Sequence, residues 1–235
     1  MTIVIPMAGK GSRFINKGYK KPKFMVEVKN KTLFEYSLNS LPIKLATQII
    51  FICLSEHKRY DLEKFIHMHI SHDNIKIIYL DEVTKGQAQT VCKAEYLVSK
   101  DDELLIFNID TCFKSEAFEE LFLDKTNDGI LGTFIDKSLD DKWSFAKVDD
   151  NNYVIKTTEK VKISDYALTG MYFFRKSKDF FKIANAYIKD EKTTKGEYYI
   201  APMYNDLILE NKKYVLDVVK SFIPLGTPEE VELFE

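Results

Sequence analysis

A glycine-rich segment near the amino terminus has the residue types that phosphate binding requires. It reads PMAGKGSRF over positions 6–14 and directly follows the apolar run Thr2–Pro6. Glycines let the backbone turn sharply, so that consecutive N–H groups can point at one anion. The residues expected around the phosphate are Ala8, Gly9, Gly11, Ser12 and Arg13. The segment predicts a phosphate-binding loop, and a glycine-rich turn that binds nothing is the alternative.

Two widespread phosphate motifs fit this loop poorly. A dinucleotide-binding fingerprint needs a third small residue where Phe14 stands, and an acidic residue after the second strand. A Walker A loop needs Gly-Lys followed by Ser or Thr after a longer spacing, which the chain lacks here. The loop therefore does not indicate either of these nucleotide-binding classes.

A basic cluster follows the loop, with four lysines between positions 17 and 23. The charges of a triphosphate must be neutralised while its α-phosphorus is attacked, and fixed cations do this well. Pro22 would stiffen the segment and direct Lys23 inward. We therefore expect Lys23 to contact a triphosphate, with a solvated basic loop as the alternative.

Together the two segments resemble the signature of the sugar-phosphate nucleotidylyltransferases. Its first part matches positions 8–14, and its second part matches Pro22-Lys23 and positions 26–31. The resemblance implies a Rossmann-like α/β fold and Mg²⁺ dependence. The implied reaction transfers a nucleotidyl group from a nucleoside triphosphate to a sugar phosphate and releases pyrophosphate, in nucleotide-sugar or surface polysaccharide synthesis. It also implies that Arg13 and Lys23 clamp the triphosphate.

Further positions match the nucleobase and metal sites of this family. Gly86 and Gln87 precede a predicted helix, where family members contact the base. Asp110 ends an apolar strand and matches the metal-binding aspartate, which implies a site for Mg²⁺. Many members have a second aspartate where this chain has Pro224, which leaves Asp217 as a weak substitute. Asp110 alone is compatible with Mg²⁺, because this ion keeps several of its water ligands.

The acceptor site is implied by a second group of matches. Glu159-Lys160 resembles the pair that holds the acceptor sugar and its phosphate, and Gly170 lies in a segment similar to the strand that walls the acceptor pocket. Adjacent side chains of a strand point to opposite faces. The side chains of Glu159 and Lys160 could therefore reach one acceptor only if the strand bends or ends at this pair. The turn residues Ser164-Asp165 that follow are compatible with such an ending.

The sequence leaves other functions open. A cytidylyltransferase for a non-sugar phosphate, such as phosphocholine or a polyol phosphate, is the first, since aromatic residues at 143–148 and 195–199 could surround a quaternary amine. A glycosyltransferase normally needs an Asp-x-Asp motif, whereas Asp110 is followed by Thr111-Cys112. A non-catalytic nucleotide-binding regulator is the third, encouraged only by Pro224. The nucleobase is undetermined, with a slight preference for a pyrimidine, and the oligomeric state is open.

The elements that must position these residues alternate between strand and helix up to Asp128. The predicted strands are Thr2–Pro6, Gln48–Leu54, Asn74–Leu80 and Glu103–Ile109. The predicted helices are Thr32–Leu41, Lys58–Ile70, Ala88–Val98 and Ser115–Leu123. Closely spaced strands then follow, which indicates an antiparallel extension. We therefore expect one domain, residues 1–235, with a Rossmann-like, doubly wound mixed sheet and an antiparallel acceptor-binding extension.

Composition and charge exclude several classes of partner. The 34 basic and 36 acidic residues give a net charge of −2, which favours neither nucleic acid nor a membrane surface. No segment approaches the about 20 apolar residues of a membrane span, and the first residues do not resemble a secretory signal. Cys53, Cys92 and Cys112 lack metal or disulfide spacing, which predicts a cytoplasmic protein. The histidines expected at the surface are His57, His67, His69 and His72.

Overall fold

The computed structural model describes residues 1–234. The strands are β1 (Thr2–Pro6), β2 (Glu27–Val28), β3 (Lys31–Thr32), β4 (Gln48–Leu54), β5 (Ile75–Leu80), β6 (Leu104–Phe107), β7 (Thr111–Lys114), β8 (Gly129–Ile135), β9 (Ser144–Val148), β10 (Val154–Glu159), β11 (Tyr166–Phe174), β12 (Tyr214–Val218) and β13 (Ser221–Pro224). The helices are α1 (Ser12–Asn16), α2 (Leu33–Leu38), α3 (Leu62–His69), α4 (Gln87–Cys92), α5 (Phe118–Leu123), α6 (Ser177–Lys189), α7 (Tyr204–Leu209) and α8 (Pro228–Phe234).

The parallel part of the main sheet has the strand order β5-β4-β1-β6. Strand β4 is an almost continuous run of buried residues, as expected of a parallel strand covered on both faces. The chain proceeds from β1 to β4 and β5 on one side, and then crosses to β6 on the other side. The strand order therefore reverses at β1, and in open α/β sheets ligands bind at the carboxyl ends of the strands beside such a reversal.

The antiparallel strands extend the same sheet. Strand β11 pairs β8 along one edge, and on the other edge it pairs β6 through Met171–Phe174 and β9 through Tyr166–Ala167. Strand β10 continues beyond β9, and β12 lies parallel to β8. The prediction of a mixed sheet with an antiparallel extension is therefore confirmed.

Hydrophobic residues cover both faces of this sheet. Val4 of β1 packs with residues of α4, α6 and α7, whereas Ile3 and Ile5 of the same strand pack with residues of α2, α3 and α5. Successive side chains of a strand point to opposite faces, so one apolar strand contributes to two cores. The doubly wound arrangement that the alternation of strands and helices predicts is therefore confirmed.

A third, smaller cluster fixes the glycine-rich loop to the end of the chain. Phe14 of α1 is buried with Val26, Leu225 and Val231, the last of which belongs to α8. Phe14 stands where a dinucleotide fingerprint would have a small residue, and its ring here anchors α1 rather than leaving space for a ligand. The cluster therefore holds the loop, the basic segment and the carboxyl-terminal helix together.

All four helices predicted before Asp128 are shorter than the sequence pattern suggested, and the first spans only Leu33–Leu38. The segment Lys58–Ile70 is interrupted at Asp61, whose φ of 53° is incompatible with a right-handed helix. The segment Ala88–Val98 ends its α-helix at Cys92. Helix α5 begins only at Phe118, whose N–H donates to Ser115 Oγ at 3.0 Å. No helix within residues 1–234 is long and apolar enough to cross a membrane.

Candidate active site

A cavity of about 480 Å³ lies over the carboxyl ends of the four parallel strands. Residues after each strand line it: Val83 and Thr84 after β5, His57 after β4, Met7 to Gly11 after β1, and Asn108 to Asp110 after β6. Pro22, Lys23, Gly86, Gln87 and Glu197 complete much of the wall. The cavity therefore lies at the reversal of strand order and contains most of the nucleotide-site residues that the sequence indicated.

The glycine-rich loop presents backbone donors to this cavity. Gly11 has a φ of 62°, in the left-handed region, and this lets the chain turn directly into α1. Among the described residues, none accepts a hydrogen bond from the backbone N–H groups of Gly9, Lys10 or Gly11. Consecutive free N–H groups of this kind form a concave anion site. The loop can therefore bind phosphate oxygens without any rearrangement of existing hydrogen bonds.

Lys23 and Asp110 form an ion pair at the edge of the cavity, with Nζ 3.0 Å from Oδ2. Pro22 leads into a 3-10 turn in which Phe24 is buried, and this anchors the turn below Lys23. Asp110 is held from the other side, because the N–H of Leu225 donates to its carbonyl oxygen at 2.8 Å. A cation and a carboxylate thus meet at one point of the cavity, although they are 87 residues apart in sequence.

The side chains of Ser12 and Arg13 are not brought to the cavity wall. Both lie on the exposed side of α1 because Phe14 takes the buried side. The guanidinium of Arg13 has no ion-pair partner among residues 1–234. Arg13 is thus free to move toward a ligand, while the loop residues Ala8, Gly9 and Gly11 line the cavity directly.

Gly86 and Gln87 form the opposite wall, at the start of α4. Gly86 has a φ of 127°, and a Cβ atom there would lie 2.6 Å from the backbone nitrogen of Tyr198. Tyr198 holds this turn through two backbone hydrogen bonds, to Lys85 at 2.8 Å and from Ala88 at 3.0 Å. Only glycine fits at position 86, because the backbone of Tyr198 approaches it closely. Gln87 Nε2 donates to Asn108 Oδ1 across the cavity floor.

Glu159 and Lys160 lie beside this cavity, where β10 ends. The strand terminates at Glu159, and Lys160 has a φ of 53°, so the chain turns between the two side chains as the predicted acceptor role requires. Ser144 Oγ donates to the carboxylate of Glu159, and burial raises the pKa of Glu159. Lys160 Nζ donates to Tyr199 Oη at 2.9 Å, and this hydrogen bond raises the pKa of Lys160. Lys160 therefore remains a cation at neutral pH.

Gly170 supports the site from behind. Its φ is 89°, and a Cβ atom there would lie 2.8 Å from Asn108 Nδ2. The backbone N–H of Asn108 also donates to the carbonyl of Gly170 at 3.2 Å. The glycine thus allows β11 to pack closely against Asn108, two residues before Asp110.

Asp217 is not brought to the cavity. It lies on β12 opposite Gly132 of β8, on a strand separated from β6 by β8 and β11, and its side chain is 0% exposed. Neither of its carboxylate oxygens has a hydrogen-bond partner, and burial raises the pKa of Asp217, with the nearby Ser115 hydroxyl offsetting part of the rise. A buried carboxyl of this kind is stable in its neutral form, which is a poor metal ligand.

Without Asp217, a Mg²⁺ site in this cavity would depend on the carboxylate of Asp110. Its carboxylate is 36% exposed and balanced by one ammonium group, and the residues 1–234 contain no cluster of three His, Cys, Asp or Glu side chains. Mg²⁺ is commonly bound by one or two carboxylates together with substrate phosphates and waters. The residues present fit a metal that arrives with the triphosphate.

Several cavity residues were not identified from the sequence. His57 was expected at the surface but is 5% exposed and lines the cavity, because its ring packs against Phe24 in the turn that follows β4. Asn108 also lines the cavity. Glu197 and Tyr199 belong to the segment 195–199, which the sequence indicated only as an aromatic stretch for an amine acceptor; Glu197 lines the cavity, and Tyr199 accepts a hydrogen bond from Lys160. A signal existed for Asn108 and His57, since both follow buried strands whose carboxyl ends face the crevice.

Comparisons with known proteins identify the family and the fold of this chain. The chain matches the family model of nucleotidyl transferases over residues 3–221. The structure of the nucleoside-diphosphate-sugar pyrophosphorylase from Vibrio cholerae RC9 is 35% identical, with a TM-score of 0.84 over 99% of this chain and 98% of that chain. The inositol-1-phosphate CTP transferase from T. maritima shares the fold, at 14% identity and a TM-score of 0.76 over 97% of this chain and 90% of that chain.

A curated relative matches only part of the chain. The 2-C-methyl-D-erythritol 4-phosphate cytidylyltransferase of Wigglesworthia glossinidia brevipalpis is 32% identical over 104 residues, which are 44% of this chain and 42% of that protein. The match thus spans less than half of that relative. The family model and the Vibrio structure, by contrast, cover nearly the whole chain. This chain therefore belongs to the nucleotidyl transferase family, and it is a nucleotidyltransferase.

Proposed function

We propose that this chain works as one domain that joins a pyrimidine nucleoside triphosphate to a sugar phosphate and releases pyrophosphate. The main supporting observation is that one crevice combines free loop donors with the Lys23–Asp110 pair, and that Lys160 supplies a second cation beside it. A protein that only binds nucleotides needs the loop donors and the Lys23–Asp110 pair, but it has no use for a second cation at Lys160. This arrangement favours two-substrate transfer.

The triphosphate would bind along the glycine-rich loop. The N–H groups of Gly9, Lys10 and Gly11 would donate to its phosphate oxygens, and Lys23 Nζ would move from Asp110 to an oxygen on the α-phosphate. Donors of fixed orientation stabilise charge as it develops, because they need no reorganisation during the reaction. Arg13 would close over the outer phosphates as a bidentate clamp.

Asp110 would hold Mg²⁺ once Lys23 has left its carboxylate. When bound, Mg²⁺ neutralises triphosphate oxygens and stabilises the departing pyrophosphate. Mg²⁺ would then balance the carboxylate charge that Lys23 leaves, while Lys23 would balance charge on the α-phosphate. Asp110 thus remains paired with a positive charge in both states.

The acceptor would bind at the end of β10. Lys160 would hold its phosphate, and Glu159 would accept a hydrogen bond from an acceptor hydroxyl. The acceptor phosphate oxygen is already an anion, so transfer needs no general base. The role of the protein is to bring two anions together in line, which is a matter of positioning and charge.

The choice of a pyrimidine is supported by the partial match to a cytidylyltransferase. A member of this family that makes activated sugars in the cytoplasm would serve nucleotide-sugar or surface polysaccharide synthesis. The same match supports a second candidate, a cytidylyltransferase whose acceptor is a polyol phosphate or phosphocholine. The two candidates differ only in the acceptor.

A pyrophosphate-release screen would distinguish them. CTP, UTP, dTTP, GTP and ATP would each be combined with glucose 1-phosphate and other sugar 1-phosphates, phosphocholine and polyol phosphates in the presence of Mg²⁺. The proposal expects turnover with a pyrimidine triphosphate and a sugar phosphate. Turnover only with phosphocholine or a polyol phosphate would support the second candidate, and turnover only with purine triphosphates would refute the choice of base.

The role of Lys160 provides an independent test. We expect Lys160→Ala to leave the Kd of the triphosphate within a few-fold and to lower turnover by about one to two orders of magnitude, because it removes a positioned charge. Lys156→Ala, which changes an exposed lysine on the preceding strand β10, is the matched control. Calorimetry with the triphosphate would measure the first quantity and pyrophosphate release the second. A collapse of triphosphate binding in Lys160→Ala would assign the residue to the nucleotide site instead.

A further inference from the structure

His57 is a buried cavity residue that the proposed mechanism does not use. It lies in the 3-10 turn Ser55–Tyr60 that follows β4, and its ring packs edge-on against Phe24 with centroids 5.2 Å apart. Its side chain is 5% exposed, and the exposed part faces the cavity. A polar ring held this firmly at a ligand site has a defined direction in which it can form a hydrogen bond.

The hydrogen bonds of the ring determine which nitrogen has the proton. The backbone N–H of Leu54 donates to Nδ1 at 3.4 Å, and a nitrogen that accepts a hydrogen bond is unprotonated. Burial lowers the pKa of His57, while the neighbouring Glu56 raises it and Arg59 lowers it, so the ring is neutral near pH 7. The proton of the neutral ring is therefore on Nε2. No described residue accepts a hydrogen bond from Nε2, so His57 offers the cavity one fixed donor.

The strand order places this donor away from the metal end of the cavity. Asp110 follows β6 and His57 follows β4, with β1 between them. Neighbouring strands are about 4.8 Å apart, so the two ends are separated by about 10 Å. The triphosphate occupies the loop and the Asp110 end in the proposed function. The nucleoside then extends toward His57 and toward Thr84 and Gly86.

We infer that His57 recognises the nucleobase, by donating its Nε2–H to the 2-carbonyl oxygen that cytosine and uracil share. This inference rests on the proposed function, because that function fixes which end of the cavity holds the base. A neutral donor suits a neutral carbonyl, whereas the phosphate end is served by backbone donors and lysine. Adenine has no ring carbonyl, so an adenine nucleotide would not offer this oxygen to the buried donor. A site built to form a hydrogen bond rejects ligands that cannot form it.

The test compares nucleotide affinities of the wild type and of two variants. His57→Phe keeps an aromatic ring against Phe24 but removes the donor, and His57→Gln restores an N–H donor. His67→Gln, an exposed histidine on α3, is the matched control. Calorimetry would give the Kd of CTP, UTP and ATP for each protein, with thermal melting to verify folding. We expect His57→Phe to weaken the preferred pyrimidine nucleotide by about tenfold or more and to change ATP by less than twofold. His57→Gln should recover most of the loss.

A second measurement avoids dependence on the folding of a variant. A pyrimidine triphosphate with sulfur in place of the 2-carbonyl oxygen is a weaker acceptor, and we expect it to bind the wild type several-fold less tightly than its oxygen parent. Equal affinity of the two nucleotides would overturn the inference. Equal weakening of CTP, UTP and ATP by His57→Phe would also overturn it, by assigning His57 to the triphosphate or to the fold. If the wild type binds CTP, UTP and ATP equally well, the inference about His57 is refuted and the proposed function is not. If the wild type binds no triphosphate, the proposed function is refuted as well.

Discussion

The ion pair between Lys23 and Asp110 predicts that Lys23→Met has two effects of opposite sign. Nζ lies 3.0 Å from Oδ2, and the two side chains are 18% and 36% exposed. Without the ammonium group, Asp110 is an unpaired carboxylate and should bind a divalent cation more tightly in the free protein. The same change removes a cation from the transition state and should slow turnover. Methionine retains the length and apolar stem of the side chain, so the buried turn should be preserved.

The magnitudes follow from the geometry. Two unit charges about 4 Å apart interact by about 4 kcal/mol at an effective dielectric constant of about 20. Since both side chains contact solvent, screening reduces the measurable part to about 1 kcal/mol. That corresponds to an about fivefold lower Kd for the metal. Removal of one preorganised donor from the developing charge costs about 10²- to 10³-fold in kcat. We therefore expect tighter metal binding together with turnover at least about tenfold slower.

The assay measures the two quantities on the same protein. Mn²⁺ titrations followed by electron paramagnetic resonance give the metal Kd without nucleotide, and pyrophosphate release gives kcat. Lys21→Met is the control, because Lys21 belongs to the same basic cluster but is 61% exposed and pairs with Glu27 at 3.4 Å. The control should change neither quantity substantially. If Lys23→Met left both metal affinity and kcat at the wild-type values, the pair would be an ordinary surface contact and the reasoning would be refuted.

Other substitutions test the remaining assignments. Asp110→Asn should abolish Mg²⁺-dependent pyrophosphate release, whereas Asp217→Asn should keep it, and equal damage would restore Asp217 as a metal ligand. Because burial raises the pKa of Asp217, the proton it binds stabilises the fold at low pH, and stability is lost as pH rises from about 4 toward the raised pKa. Asp217→Asn should thus raise the Tm at pH 7 by a few degrees and leave it unchanged near pH 3, as calorimetry would show. Arg13→Lys should lower kcat/KM by about tenfold, because an ammonium cannot copy the guanidinium fork, and an unchanged value would exclude a bidentate contact.

The parallel half of the fold could be predicted from local pattern alone. Strand β4 spans Gln48–Leu54, as its apolar run indicated, because both faces are covered and no polar residue interrupts it. The pairing of β7 with β13 had no such signal. Its two strands are four residues long and nearly 110 residues apart, so their alignment depends on the tertiary structure that surrounds them. Short strands of this kind are determined by long-range contacts rather than by periodicity.

The site was predictable where a role depends on the backbone and less so where it depends on side-chain direction. Gly86 and Gly11 both have positive φ values, as glycine-dependent turns at a ligand site require. Arg13, by contrast, lies outside the cavity because Phe14 determines which side of α1 is buried. His57 is inside because its ring, in the 3-10 turn that follows β4, packs against Phe24. Neither the orientation of α1 nor this packing can be obtained from residue types alone.

The segment after Gly196 connects the two halves of the proposed site. Tyr198 holds the Gly86 turn through backbone hydrogen bonds, and the next residue, Tyr199, accepts the hydrogen bond of Lys160. Glu197, just before them, lines the nucleotide cavity itself. Three consecutive residues thus contact the cavity, the turn that forms one of its walls, and the cation expected to bind the acceptor. Because the backbone between neighbouring residues cannot stretch, displacement of one site by its ligand is transmitted to the other. In the proposed function, this segment would fix the positions of the two substrates relative to each other, which in-line transfer requires.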